Sequence, residues 1–324
     1  MQKSILPLMH CPACRQSLTL ETSKVSLILN KYAKDEPVPE GQLACRCGRS
    51  YSIHNGVPNL IYVEEPRSSD KEFVQHCDKN EYQFSLDRLS RLSNIERRHF
   101  WFVGRRALID RLLKRYLGDK EQLILDLGCG TGLMLEILMQ RGHHVMGLDR
   151  RPEGLHAVNR LLPQSWLLQA EATRLPLIEN AFDAVMLLDV LEHVDDRDLL
   201  AEVHRVLRPD GLALITVPAI PWLWSYRDKD AGHLRRYTRR QLTSLLTGAN
   251  FQVLEICYYQ FLLFPIVLLT RLFGRRGPGW RDFEDLPFPV LNTVMSWINI
   301  LEAKIGNIIQ WPWGSSLVVV CRRR

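Results

Sequence analysis

Leu123-Ile-Leu-Asp-Leu-Gly-Cys-Gly-Thr-Gly132 is the stretch whose reading decides the fold. Its apolar run into Asp126 without polar interruption is the pattern of a parallel strand covered on both faces, and Gly128, Gly130 and Gly132 then break it. The next residues, Leu133-Met-Leu-Glu-Ile-Leu-Met-Gln140, are helix formers, so the turn should open a helix and aim free N–H groups at a ligand. A glycine turn alone is a weak signal. A second short strand, His144 to Leu148, ends in Asp149, roughly 20 residues after the glycines, where an acid can accept both hydroxyls of a ribose. That excludes a mere loop and points to a nucleotide site.

Further features separate the possible nucleotides. The turn is GxGxG, not GxGxxG, and Asp126 stands just before it, where a cationic aminoacyl tail could be held. Downstream come Gln169-Ala-Glu-Ala-Thr-Arg-Leu-Pro176 and Phe182-Asp-Ala-Val-Met-Leu-Leu-Asp-Val-Leu-Glu-His-Val194. Residues 202 to 218 then read as a helix, a Pro-Asp-Gly turn and another strand. On these motifs, in this order, residues 124 to 251 resemble the class I S-adenosylmethionine-dependent methyltransferases. The resemblance implies an α/β fold with a doubly wound, seven-stranded, mostly parallel Rossmann-like sheet.

It also implies roles, residue by residue. Asp126 and the backbone of Gly128, Cys129 and Gly130 approach the methionine part, with Cys129 a small packed residue of the turn. Asp149, with Arg150 beside it, takes the ribose; Glu171 and Ala172 border the adenine, Glu171 standing where the family usually has Asp. Asp189 lies near the sulfonium. Before the first strand, Phe100, Trp101 and Phe102 either pack on the sheet or form a lid, with Arg105 or Arg106 pairing the cofactor carboxylate. A dry lid would exclude water.

Methyl transfer asks mainly for an in-line approach, so positioning supplies most of the catalysis and a base helps only a hydroxyl acceptor. His193, following the fourth strand, is one candidate base, with helix capping or packing as the alternative. The other candidates lie in the loop Pro218 to Thr238, which should wall the acceptor site beyond the strand ends. There Trp222, Trp224 and Tyr226 offer flat apolar surfaces, and His233 and Tyr237 offer proton-transfer groups. Arg235 and Arg236 suit an acceptor phosphate or are solvated charges leading into the next helix.

Toward the N terminus, Cys11-Pro-Ala-Cys14 and Cys45-Arg-Cys47 form two close pairs, the arrangement a tetrahedral zinc site needs. The second pair is C-x-C, which leaves His10 or His54 as substitutes for Cys45. Residues 5 to 62 resemble the small zinc-ribbon activator of tRNA and protein methyltransferases, interrupted by an extra loop from about 24 to 42. A structural zinc is expected. Residues 63 to 94 read as a charged linker leading to a lid helix, 95 to 256 as the core, and 257 to 315 as an apolar helical insertion before the last strand and basic tail at 316 to 324.

The chain has 324 residues, 46% hydrophobic and 24% charged, enough for one sizeable core and a smaller domain. A net charge of +6 permits an anionic partner without demanding one. The segment Ile5 to Met9 is too short for a signal peptide's apolar region, so a cytoplasmic location is expected and the eight cysteines read as ligands or buried thiols. In the insertion, the apolar Cys257 to Thr270 with its basic flank, the helix-spaced Val290 to Gln310, and Trp297, Trp311 and Trp313 suit peripheral membrane contact, a lipid groove or packing on the sheet edge. The stretches Phe100-Trp-Phe-Val-Gly-Arg-Arg106 and Gly232-His-Leu-Arg-Arg-Tyr237 resemble those of bacterial methyltransferases found among cell-surface glycan enzymes. A hydrophobic or lipid-linked acceptor, methylated on oxygen, is therefore expected ahead of tRNA or rRNA, and ahead of a non-catalytic scaffold.

Overall fold

A computed structural model describes residues 1–21, 37–63, 95–273, 288–306 and 309–324. The expected lid helix of residues 63 to 94 and the arginines at 275 and 276 lie outside the described residues. Near the N terminus a 3₁₀ turn, Lys3–Leu8, precedes four short antiparallel strands: β1 (Leu18–Glu21), β2 (Gly41–Cys45), β3 (Ser50–His54) and β4 (Val57–Pro58). Leu43 and Ile53 turn their alternating faces inward and are fully buried.

The main sheet begins after helix α1 (Phe100–Tyr116). Its first strand is β5 (Leu123–Leu127), followed by α2 (Leu133–Gln140), β6 (His144–Asp149), α3 (Pro152–Leu161) and β7 (Trp166–Gln169). The second half runs β8 (Phe182–Leu188), α4 (Asp196–Val206) and β9 (Leu207–Pro218), then α5 (Tyr226–Ala231), α6 (Arg239–Gly248) and β10 (Phe251–Tyr259). Helices α7 (Phe264–Phe273) and α8 (Pro289–Ile305) precede β11 (Ser316–Arg323). The seven strands are ordered β10-β11-β9-β8-β5-β6-β7, with β11 antiparallel to both neighbours and the contiguous set from β9 to β7 parallel. This is the doubly wound Rossmann-like methyltransferase fold. The order reverses beside β5, so a crevice opens at the carboxyl ends of β5 and β8.

Two boundaries differ from the sequence reading. The sixth strand continues through Cys257 to Tyr259, where each residue pairs with β11 and Cys257 and Tyr259 are buried, so the apolar helix starts only at Phe264. The Pro-Asp-Gly turn is folded into β9, where Asp210 adopts φ +62° and the pairing with β8 slips between Phe182 and Ala184.

The four-stranded N-terminal sheet is built onto the core. Ile5, Met9, Leu43, Ile53 and Leu60 are fully buried in one cluster with Leu168, Leu175 and Leu177, each side chain contributing about 1.5–3 kcal/mol by leaving water. Backbone bonds cross from His10 N–H to Pro176 O, Ile178 N–H to Leu8 O and Leu60 N–H to Gln169 O. Arg15 reaches Glu202 at 3.1 Å, and the Arg174 guanidinium lies 3.7 Å from the centre of the Tyr62 ring. At the other end, α8 packs along α1: a Cβ on Gly104 would stand 2.5 Å from that of Asn299, whose amide donates to Phe100 O.

Candidate active site

The crevice is shaped first by the glycine turn. Gly128, Gly130 and Gly132 have φ of +72°, +52° and +76°, and a Cβ on Gly128 would stand 2.6 Å from Val190. The amides of the glycine residues themselves are engaged within the chain and not left for a ligand. Gly128 and Cys129 N–H both donate to Leu148 O, and Gly130 N–H donates to the Asp149 carboxylate at 3.1 Å. What the glycines supply is close backbone approach, not donors. Cys129 is buried against Gly147, and burial raises its thiol far above the ordinary value, which leaves it an inert packing residue.

Around this turn the acids stand at strand ends. Asp126 is 2% exposed, and burial lifts its carboxyl to about 7. Asp149 accepts from Gly130 and, at 2.9 Å, from Arg151 N–H, which fixes its carboxylate while leaving further lone pairs. Arg150 and Glu171 meet at 2.9 Å, and partly buried Ala172 follows. Asp189 sits at φ +59° just beyond β8; its Oδ1 accepts from Thr216 at 3.0 Å and its Oδ2 from Arg105 at 2.5 Å. These residues fit S-adenosylmethionine: a backbone cradle that a Cβ would fill, an anchored carboxylate at the ribose position, and a buried acid for a cationic tail.

The arginine that enters this site is Arg105. Its guanidinium also approaches Glu96 at 3.7 Å and lies 4.6 Å from the Trp101 ring centre and 5.1 Å from that of Phe102. Arg106, one residue and about 100° further round α1, instead donates to Arg97 O. Phe100 is 2% exposed and clusters with Leu263 and Met295, so it belongs to the packing of the insertion and not to a lid.

Beyond the end of β8, His193 ends a 3₁₀ turn, Leu191–His193, and does not open α4, which starts at Asp196 behind an Asp195 cap. Its Nδ1 lies 3.1 Å from Gly232 O, and its ring meets that of His233 edge-on at 4.9 Å. One edge of the imidazole reaches solvent, yet the surrounding protein and the His233 ring hold it down at about 4, neutral at physiological pH. His233 Nδ1 bonds Asp228 at 3.1 Å. Asp228 is fully buried, caps α5 through Ser225, and takes Arg236 Nε at 2.7 Å.

The structure turns three residues away from the roles their sequence suggested. Arg236 is spent on Asp228 and Ala219 O, and Arg235 on Asp196 at 2.8 Å, so neither is a ready phosphate clamp. Tyr237 is 4% exposed, donates to Leu191 O and Asp196, and burial raises its hydroxyl far above 10, which removes it as a base. Asp228 and Glu192 are the residues not singled out from sequence; the Ser225-x-x-Asp228 capping box was the one legible signal for the first.

Beside the N-terminal sheet, Cys11, Cys14, Cys45 and Cys47 bring their sulfurs within 4.8 Å of one another, with Cys11–Cys47 at 3.8 Å and Cys14–Cys45 at 3.4 Å. The edge of a tetrahedral zinc–thiolate site is about 3.8 Å for bonds of about 2.3 Å. The C-x-C spacing therefore leaves Cys45 in place, while His54 pairs with Glu40 at 3.2 Å.

Comparison with known proteins agrees with this geometry. Residues 125–215 match the methyltransferase domain family. An uncharacterized methyltransferase of Mycobacterium tuberculosis is 38% identical over 113 residues, covering 35% of this chain and 43% of that one. A malonyl-[acyl-carrier protein] O-methyltransferase of Hamiltonella defensa is 30% identical over 154 residues, covering 45% and 59%. The chain spans about half the length of the curated relatives it matches. Among solved structures, a chain of the complex between the Haloferax volcanii Trm112 methyltransferase activator and a methyltransferase superposes with a TM-score of 0.50 at 18% identity, covering 72% of this chain and 93% of that one. Strand order, glycine turn and family match agree: residues 125–215 match the methyltransferase domain family, within a Rossmann-like methyltransferase fold.

Proposed function

We propose that the protein transfers a methyl group from S-adenosylmethionine to an oxygen of a hydrophobic or lipid-linked acceptor, with its ribbon held by a structural zinc ion. The observation that carries the acceptor class is the apolar rim of the acceptor loop. Trp222 is 65% exposed and meets Phe264 edge-on at 6.4 Å, and Leu262, Ile266 and Leu269 of α7 and its approach are exposed as well. The loop after β9 and the start of the insertion thus touch, and both carry exposed apolar side chains. Exposed Val290, Val294, Trp297 and Leu301 extend apolar surface along α8. Among the described residues no helix is long and apolar enough to cross a membrane, so contact with lipid would be peripheral. The O-methyltransferase among the relatives supports oxygen as the atom methylated.

In this reading S-adenosylmethionine supplies an electrophilic methyl carbon. Asp149 holds the ribose, Asp126 the cationic tail, and Arg105 fixes Asp189 at the wall nearest the reacting centre. Asp228 holds Nδ1 of His233 and leaves Nε2 as the atom able to accept the acceptor's proton.

Asp126 gives this reading a pH signature. With its carboxyl raised from about 3.8 to about 7, the folded chain keeps a proton that the unfolded chain has released. That contribution to stability is complete below about pH 4 and is lost as pH rises through about 7. A bound cation favours the carboxylate, so cofactor binding should release a proton, and affinity should rise between about pH 5.5 and 7.5 and then level. Calorimetry in buffers of different ionisation enthalpy measures that proton, and Asp126→Asn should flatten the profile.

The ribbon gives a second expected result. Purified protein should carry about one zinc per chain, and its removal by a chelator should expose the apolar cluster that the ribbon shares with Leu168, Leu175 and Leu177. Zinc content by atomic absorption and a lowered melting temperature after chelation check this. A solved neighbour exists as a methyltransferase with a separate activator chain, which supports reading this ribbon as a stabilising partner fused in cis.

A further inference from the structure

We propose that Glu192, His193 and His233 form a binding site for a divalent first-row transition-metal ion beside the acceptor position. Glu192 Oε, and one ring nitrogen each of His193 and His233, lie within 4.8 Å of one another. Glu192 is fully buried, neither of its carboxyl oxygens has a hydrogen-bond partner, and His233 Nε2 lies 3.9 Å from Oε1. A buried carboxyl group without a hydrogen-bond partner is rare in folded chains, and a cation held between it and the two imidazoles would supply the missing partner.

The two imidazoles supply an independent observation. Each has its Nδ1 tied to an acceptor, His193 to Gly232 O and His233 to the buried Asp228, both at 3.1 Å. Both Nδ1 atoms then carry the proton, and both Nε2 lone pairs are left to bind. Metal-bound histidines are oriented in this way by a carbonyl or carboxylate behind the ring. Asp228 is itself held by Arg236 and the start of α5, so the His233 ring is fixed by buried structure. An ion at about 2.1 Å from each ligand atom needs those atoms roughly 3 to 3.4 Å apart, closer than the 4.8 Å within which they now lie, so the side chains must close on it.

Two histidines and one carboxylate leave coordination positions open. With the ion bound, His233 Nε2 is a ligand and no longer the base, and an acceptor hydroxyl in an open position would be oriented and would lose its proton to solvent more readily, giving the oxygen nucleophile. That role rests on the methyltransferase reading; the metal site does not.

The test uses the purified full chain with its ribbon zinc in place. Titration with Mn²⁺, a poor ion for thiolates, is followed by the electron paramagnetic resonance signal of the free ion. The expected result is one Mn²⁺ bound per chain, weakened at least about tenfold in Glu192→Gln, His233→Asn and His193→Asn. The melting temperature of each variant shows whether it folds. His193, whose ring reaches the surface, carries the test if the buried substitutions unfold the chain. No Mn²⁺ bound by the parent chain, or unchanged binding in a folded variant set, overturns the proposal. S-adenosylmethionine binding measured on the same samples separates the outcomes: normal cofactor binding without Mn²⁺ overturns the metal site alone, and lost cofactor binding in the parent chain overturns the methyltransferase reading.

Discussion

Asp149→Ala is expected to weaken S-adenosylmethionine binding by at least about tenfold, because it removes charged acceptors each worth about 1.5–3 kcal/mol. The loss has two sources. The carboxylate is the group placed to take the ribose hydroxyls, and it also holds the turn by accepting from Gly130 and Arg151 N–H. Asp149→Asn keeps one acceptor oxygen and its shape, so it should fall between parent and alanine. Calorimetric titration of the three chains checks the order. Equal affinity in all three would mean that the crevice at the end of β6 does not hold the cofactor.

Asp228→Ala should have the largest effect on stability. The substitution leaves the Arg236 guanidinium, 3% exposed, without its carboxylate, and unpaired buried charges of this kind cost about 3–5 kcal/mol. A fall in melting temperature on the order of 10 °C follows. Replacing both members, Asp228→Ala with Arg236→Met, removes the orphaned charge and should recover part of that loss. The double variant nevertheless lacks the group that orients His233, so its rate should stay low while its melting temperature rises. A double variant no more stable than Asp228→Ala would show that the ion pair is not what holds the loop.

The fold was legible because its deciding signals are local. Apart from Asp126, Leu123 to Leu127 is apolar on both faces since helices cover both, and the glycines after it are required by positive φ and, at Gly128, by the closeness of Val190. The acids at strand ends followed from the same register. The orientation of side chains on helices and loops was not legible. Arg105 and Arg106 are identical in type, and only the rotation of α1 against α8 decides which one reaches Asp189.

The basic loop shows the same limit from the other side. Arg235, Arg236 and Tyr237 carry the composition of a phosphate site, yet Asp196 and Asp228 satisfy them internally. Those partners lie 8 to 41 residues away, and no periodicity reveals such pairings. Glu192 was hidden for a similar reason. Within Asp-Val-Leu-Glu-His it reads as the start of a helix, whereas a 3₁₀ turn buries it beside His233.

The most direct test of the central claim is transfer of label. Purified full chain is incubated with S-adenosylmethionine labelled on its methyl group and a cell extract split into membrane-lipid, RNA and soluble small-molecule fractions. The expected result is label in the organic phase of the lipid fraction, lost with Asp149→Ala. Label released by nuclease would contradict the hydrophobic acceptor, and no label in any fraction, with cofactor bound, would contradict catalysis itself.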